Sequence, residues 1–480
     1  MTKSSRFRGA LLGLAVGDAI GTTLEFRARG SFEPVTDMVG GGPFGLRPGQ
    51  WTDDTSMALC LARSLLDSGG FDARDQMSRY VSWWRHGKLS STGRCFDIGN
   101  TTRAALARFE RDGNPFAGDE RPDAAGNGSL MRLAPIALYF AGDPGLAESQ
   151  AAASSRTTHA AREAVDACRL FARLLLRGLA GLPRDEILAP GAPFDPPLAP
   201  AIEVLRSGAF LRKHRDEIRG TGYCVPSLEA ALFCFARAGS FSEAVLAAAN
   251  LGDDADTTAA IAGQIAGAHF GEEGIPRVWR ERLHRGAEIA RLADALMRAR
   301  EAPPPPNARS YWANPGSLLA GAYPGSLDRD AARAVAAGLL DAGVTAFASL
   351  MQPHETDRQG RVFAPYEDIV RELAAERGRV VEFARFPIID LGVPSDRVMR
   401  AVQAFIDERI AEGRRVYVHC WGGRGRTGTV VGAHLIRHGQ ADADDFAQVI
   451  ARRRESDAGG GASPETAAQI EFVRRFDGGN

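Results

Sequence analysis

The sequence predicts a multidomain protein, with an all-α domain over residues 1–300, a proline-rich linker at 301–308 and an α/β domain over 309–480. Three observations carry this. A chain of 480 residues exceeds one ordinary hydrophobic core. Ala/Leu-rich stretches with apolar residues at helical spacing fill the part before Pro303–Pro306. Beyond those prolines, short β-type runs alternate with helical ones, the texture of helices packed on a sheet.

Taken in order, helices are expected over 54–68, 102–110, 145–153, 160–178, 227–237, 241–250 and 257–269, with few β-branched runs to oppose them. Ala189–Pro200 is proline-rich and reads as a long loop. A charged helical run, Glu281–Arg300, leads to the four prolines, which are stiff and cannot continue a helix. After them, β-runs at Val344–Leu350, Val380–Pro387 and Arg415–His419 alternate with helices over 329–342, 364–376, 395–412, 427–437, 444–454 and 464–476.

Composition is that of an ordinary globular protein, at 44% hydrophobic and 24% charged residues. With a net charge of −1 the overall field marks no nucleic-acid binder. Six scattered cysteines form no CxxC pair, which fits a reducing compartment. The first residues, MTKSSRFRGALLGLAVGDAIG, imitate a signal peptide, but Asp18 and glycines 9, 13, 17 and 21 interrupt the apolar run. No stretch reaches the ~18 apolar residues of a membrane span, so a cytoplasmic protein without membrane contact is expected.

HCWGGRGRTG at 419–428 carries the clearest chemistry. An apolar strand ends at Cys420, Trp421–Gly425 holds three glycines, and Thr427 opens a helix. Such a turn aims backbone N–H groups at one point, as a phosphate requires. The same nest, the helix dipole and Arg426 favour a nucleophilic thiolate at Cys420. Arg426 can offer a bidentate fork to phosphoryl oxygens.

The loop resembles the HCxxGxxR[S/T] signature of protein tyrosine and dual-specificity phosphatases, a resemblance covering about 307–476. It implies attack by Cys420 to form a phosphocysteine, thiolate departure assisted by Thr427, orientation of the cysteine by His419, and no cofactor. The general acid would come from FPIIDLGVPSD. Asp390 ends a strand before Gly392 and Pro394, as the family's acid does, whereas Asp396 reads as a helix-start residue. SPETAAQIEFV nominates Gln469 to position water. Gly422, Gly423 and Gly425 would line the phosphate nest, with Trp421 and Arg424 shaping or charging its entrance. The substrate would be a phosphorylated protein or a small phosphate ester.

Two helix starts in the first domain, WTDDTSMALC and LGDDADTTAA, hold more carboxylates than a cap needs. If they meet, Asp53, Asp54, Asp253, Asp254 and Asp256 repel one another unless a cation intervenes. Oxygen ligands from Asp and Thr suit magnesium or manganese.

GALLGLAVGDAIGTTLEF, TDDT, GNGSLMRLAPIAL, the pair Thr158–His159 and GDDADTTAAIAG follow the order of ADP-ribosylglycohydrolases of the dinitrogenase-reductase-activating type, which the chain resembles over 7–271. The resemblance implies two Mg2+ or Mn2+ ions on Thr52, Asp53, Asp54, Asp254, Asp256 and Thr257, with Glu25 handling the attacking water. It also implies backbone N–H groups of Gly126, Asn127, Gly128 and Ser129 around a diphosphate, His159 beside the nucleotide and Asp97 near the leaving group. GDDADTT stands where GDTDT is commoner, with Asp254 taken as ligand and Asp253 as an extra acid. The expected protein is a bifunctional hydrolase acting on an ADP-ribosylated protein or small molecule and on a phosphate ester. The alternative is one activity, with the other domain recruiting substrate.

Overall fold

The computed structural model describes residues 1–299, 304–356, 359–438, 440–454 and 460–476. It divides into two compact units, Met1–Met297 and Arg298–Asn480. Residues 301–303 of the expected linker lie outside the described residues, and 304–308 carry neither helix nor strand.

The first unit is helical. All seven expected segments are helices, among them Asp53–Asp67, Arg162–Ala180 and Ala255–Gly274. Helices at Lys3–Gly21 and Ala73–His86 fall outside those segments. Lys3–Gly21 carries glycine at every fourth position from Gly9, a poor intrinsic helix former. Tertiary packing overrides that cost. Gly9, Gly13, Gly17 and Gly21 form a ridge laid directly on the backbone of helix Ala255–Gly274, and a Cβ on Gly17 would sit 2.1 Å from the Ala259 carbonyl oxygen. The two backbones touch because the first helix has no side chain there and the second offers Gly263 and Gly267 opposite Gly13 and Gly9, and the small Ala255 and Ala259 opposite Gly21 and Gly17. Helix Ala73–His86 buries Met77, Tyr80 and Trp83 against Met57, Leu106 and Met131, each burial contributing roughly 1.5–3 kcal/mol.

The second unit is a five-stranded sheet with helices on both faces. Its strands are β1 (Ser310–Asn314), β2 (Leu318–Gly321), β3 (Val344–Ser349), β4 (Glu382–Arg385) and β5 (Arg415–His419), in the order β1-β2-β5-β3-β4. Only β1 and β2 pair antiparallel. These two strands were not expected, because they are short and split by the turn at Pro315–Ser317. Residues alternate between faces as pleating requires. Leu318, Ala346 and Val416 pack with helices Asp396–Ala411 and Gly425–Arg437, while Leu319, Phe347 and Tyr417 pack with Arg329–Asp341 and Glu367–Glu376. The central strand β5 therefore ends, at His419, where open α/β sheets place ligands.

Candidate active sites

In the first unit the two acidic helix starts meet. Thr52 precedes helix Asp53–Asp67, and its N–H and hydroxyl both donate to Asp18 Oδ1 at 2.9 Å. The Thr55 N–H and hydroxyl donate to Asp18 Oδ2 at 3.0 and 2.6 Å. Asp18, on the glycine-ridged helix, thus fixes the TDDT segment from below. Sequence reasoning gave it no role, although a carboxylate inside an otherwise apolar helix was a usable signal. The Thr52 hydroxyl lies 3.3 Å from Asp54 Oδ2 and 3.4 Å from Asp256 Oδ2, so it stands between the two starts.

Glu25 arrives from a separate segment. Phe26 N–H donates to the Asp253 carbonyl and Asp253 N–H to the Arg27 carbonyl, both at 2.8 Å, pinning Glu25 beside the second start. Carboxylate oxygens of Glu25, Asp97 and Asp256 lie within 4.8 Å of one another. A cavity of about 560 Å³ opens over this cluster, with Asp53, Asp254 and Thr257 also on its wall and Asp253 absent from it. Asp254 receives a hydrogen bond from the Asn127 side chain.

The electrostatics are those of crowded anions. Burial, then neighbouring carboxylates, push Glu25, Asp53, Asp54 and Asp256 well above the usual range. Burial pushes Asp97 up to about 7 and Asp18 up to about 6. Glu25 Oε2 and Asp54 Oδ1 are buried without a hydrogen-bond partner in the described structure. Buried carboxylates in this state need protons or cations, and an all-oxygen donor set fits hard divalent ions.

His159 reaches the cavity, and burial lowers it to about 3, which keeps it neutral. Gly128 must be glycine, since a Cβ there would meet the His159 ring at 2.8 Å. The expected phosphate cradle is smaller than foreseen. Gly126 and Asn127 N–H groups donate to the Ala124 and Gly222 carbonyls, and the Ser129 hydroxyl is bonded internally to Ser155 and Cys168. Among the described residues, the N–H groups of Gly128 and Ser129 have no backbone acceptor.

In the second unit Cys420 is buried at the end of β5 and Arg426 lies in the first turn of helix Gly425–Arg437. Gly423 takes a φ of +74° and abuts the Gly321 backbone, so the turn requires glycine there. Arg426 Nη1 and Nη2 each lie 2.7 Å from a Glu355 oxygen, and Nη2 is 3.0 Å from Asp390 Oδ1. The nominated acid is thus at the arginine, half-exposed. Glu355 sits in the sequence MQPHETDRQG, which has no motif to single it out. It also lines a cavity of about 430 Å³ with Tyr323, His354, Phe363, Glu367 and Arg385.

His419 is buried, its Nε2 2.7 Å from the Tyr366 hydroxyl, and burial, partly offset by the Cys420 backbone, lowers it to about 3. Thr427 Oγ1 is buried with no hydrogen-bond partner. Gln469 departs from the expected role of holding water. Its Oε1 accepts the Glu465 and Thr466 N–H groups, and its Nε2 donates to the Gly392 carbonyl at 3.0 Å, tying the final helix to the Asp390 loop. Arg424 is paired with Glu465 at 2.6 Å instead of standing free at the entrance. Trp421 packs against Phe363, with ring centroids 5.8 Å apart.

The first unit thus holds a carboxylate-lined cavity and the second a cysteine–arginine loop, each the kind of site found in hydrolases. The ADP-ribosylglycohydrolase family model matches residues 1–306, and the chain belongs to that family. Residues 331–440 match the model described as polymorphic toxin system, DSP-PTPase phosphatase. Both are enzyme families. ADP-ribosylarginine hydrolase Tri1 of Pseudomonas putida (strain GB-1) is 47% identical over 291 residues, covering 61% of this chain and 77% of that protein. ADP-ribosyl-[dinitrogen reductase] glycohydrolase of Rhodospirillum rubrum is 33% identical over 306 residues, covering 61% and 95%. The solved ADP-ribosylglycohydrolase-related protein complex shares 45% identity at a TM-score of 0.55, covering 62% of this chain and 98% of that one.

Proposed function

We propose that the first unit hydrolyses the N-glycosidic bond of ADP-ribosylated arginine with two hard divalent ions, Mg2+ or Mn2+, and that the second unit hydrolyses a phosphate monoester through Cys420. The observation behind the first half is the cluster of buried carboxylates whose strongest charged neighbours are one another. Thr52, Asp53, Asp54, Asp254, Asp256 and Thr257 would hold the ions. When bound, such ions orient ribose hydroxyls and polarise water. Asp18 sets the position of Thr52, and Glu25 directs the water. Asp97, whose carboxylate lies within 4.8 Å of those of Glu25 and Asp256, stands on the leaving-group side. Neutral His159 packs against the Gly128 turn and flanks the nucleotide. The P. putida relative, an ADP-ribosylarginine hydrolase, favours arginine over serine as the modified residue.

In the second unit the Cys420 sulfur attacks phosphorus, Arg426 holds the equatorial oxygens, and Asp390 protonates the leaving oxygen. Water then cleaves the phosphocysteine, with Asp390 as base. Neither half uses a membrane, and among the described residues no helix is long and apolar enough to cross one. Six unpaired cysteines suit a reducing, cytoplasmic setting.

The test assays the full chain and its Asp256→Asn and Cys420→Ser variants on ADP-ribosylarginine and ADP-ribosylserine peptides and on a chromogenic phosphate ester. Each variant should lose one activity and keep the other. ADP-ribose release by Asp256→Asn at the wild-type rate, or ester hydrolysis by Cys420→Ser, would overturn the corresponding half.

A further inference from the structure

We propose that His434, His438 and Asp407 form a transition-metal site, best suited to Zn2+, that fastens helix Asp396–Ala411 to helix Gly425–Arg437. His434 and His438 are four residues apart and share one helical face, their rings 4.2 Å apart. Asp407 faces them from the neighbouring helix, with Oδ1 2.8 Å from His438 Nε2 and 3.7 Å from His434 Nδ1. Nitrogen, nitrogen and oxygen all fall within 4.8 Å of one another. A tetrahedral zinc ion with bonds of about 2.0–2.1 Å spaces its donors roughly 3.3 Å apart, a spacing that lies between the two distances to Asp407 Oδ1.

Two further features point to a ligand. His434 is 1% exposed, and its Nδ1, the nitrogen that faces Asp407, has only a long contact of 3.3 Å with Gln403 Oε1, which an ion can replace. Arg437 Nη1 holds Asp407 Oδ2 at 3.0 Å and turns Oδ1 toward the imidazoles, the outer support that metal ligands require. Half-buried Asp407 and His438 leave access for the ion and for a water as fourth ligand. Two imidazoles and one carboxylate select zinc over magnesium.

The position gives the site a role. Helix Gly425–Arg437 starts at the Cys420–Arg426 loop, and helix Asp396–Ala411 follows the segment that carries Asp390. An ion here braces two elements that must hold their spacing for phosphoryl transfer, without touching the reacting atoms.

The experiment measures Zn2+ bound per full-length chain by equilibrium dialysis and elemental analysis. Millimolar Mg2+ occupies oxygen sites, and a Cys420→Ser background removes the thiol. In that background, His438→Ala and Asp407→Asn should each bind one Zn2+ fewer than their parent, and the Zn2+-induced rise in Tm should disappear. Co2+ should give the parent a tetrahedral visible spectrum that His438→Ala lacks. His438 is partly exposed, so its variant tests the site even if His434→Ala misfolds. Equal Zn2+ stoichiometry and equal Tm shifts in the parent and a folded His438→Ala would overturn the proposal.

Discussion

Arg426, the residue expected to grip phosphate, is itself gripped by Glu355, with a carboxylate oxygen 2.7 Å from each terminal guanidinium nitrogen. The pair holds the fork rigid in a site where Arg426 is 1% exposed. Glu355→Gln keeps the shape and removes the charge. A charged hydrogen bond contributes roughly 1.5–3 kcal/mol, so kcat/KM on a phosphate ester should fall about 10- to 100-fold. The rate of Cys420 alkylation should change much less. An unchanged kcat/KM would show that Arg426 needs no such partner.

Asp54 is buried among carboxylates that raise one another. Asp54→Asn removes one charge from that set, so the metal-free protein should melt higher by a few degrees for each kcal/mol of repulsion relieved. The same change deletes a proposed ion ligand, and ADP-ribose release should drop by about 100-fold or more. Calorimetry with chelator, paired with the activity assay, reads both. A variant that is less stable and equally active would contradict the assignment.

The glycine ridge predicts a different failure. Gly17→Ala places a methyl 2.1 Å from the Ala259 carbonyl oxygen, and neither helix can yield by rotating a side chain. Overpacking of this kind costs about 1–3 kcal/mol. It should also shift Asp254 and Asp256, which stand at the start of the partner helix. Denaturant unfolding should show the loss in stability, and metal titration a weakened affinity.

His419 sets a pH dependence in the second unit. Burial lowers it from 6.5 to about 3, so the unfolded chain takes up a proton that the folded chain refuses. Stability from this group is complete above pH 6.5 and is lost progressively toward pH 3. By pH 5 the loss is on the order of 2 kcal/mol. His419→Asn should flatten that part of the curve, measured as urea midpoint against pH.

The fold class was legible because helical periodicity and β-branched runs report burial directly. Val344–Ser349 and Arg415–His419 are nearly all buried, and their residue types say so. Ser310–Asn314 was not legible, because its pairing partner across Pro315–Ser317 gives the strand its identity. Helix Ala73–His86 holds Met77, Tyr80 and Trp83 at the right spacing, diluted by Arg74, Asp75, Arg79 and Arg85. Among site residues, motifs located the acidic helix starts and the cysteine loop. They could not say which polar atoms were already engaged. That is why Arg424 is found on Glu465, Gln469 on Gly392, and the Gly126 and Asn127 N–H groups on carbonyls. Glu355 lies in a loop whose composition suggests nothing, and only the folded path of the chain carries it to Arg426.

Helix Lys3–Gly21 has Ala255–Gly274 as the surface it was made to lie on, and about 230 residues separate the two. At a synthesis rate of 5–20 residues per second, the first helix emerges roughly 12–46 s before its partner. Through that interval the ridge of Gly9, Gly13, Gly17 and Gly21 lacks the helix that covers it, on an element whose Leu11, Leu14, Val16 and Ile20 are all buried in the finished protein. The first centre is therefore completed late in translation, and a nascent chain stalled before residue 255 should be a favoured client for chaperones.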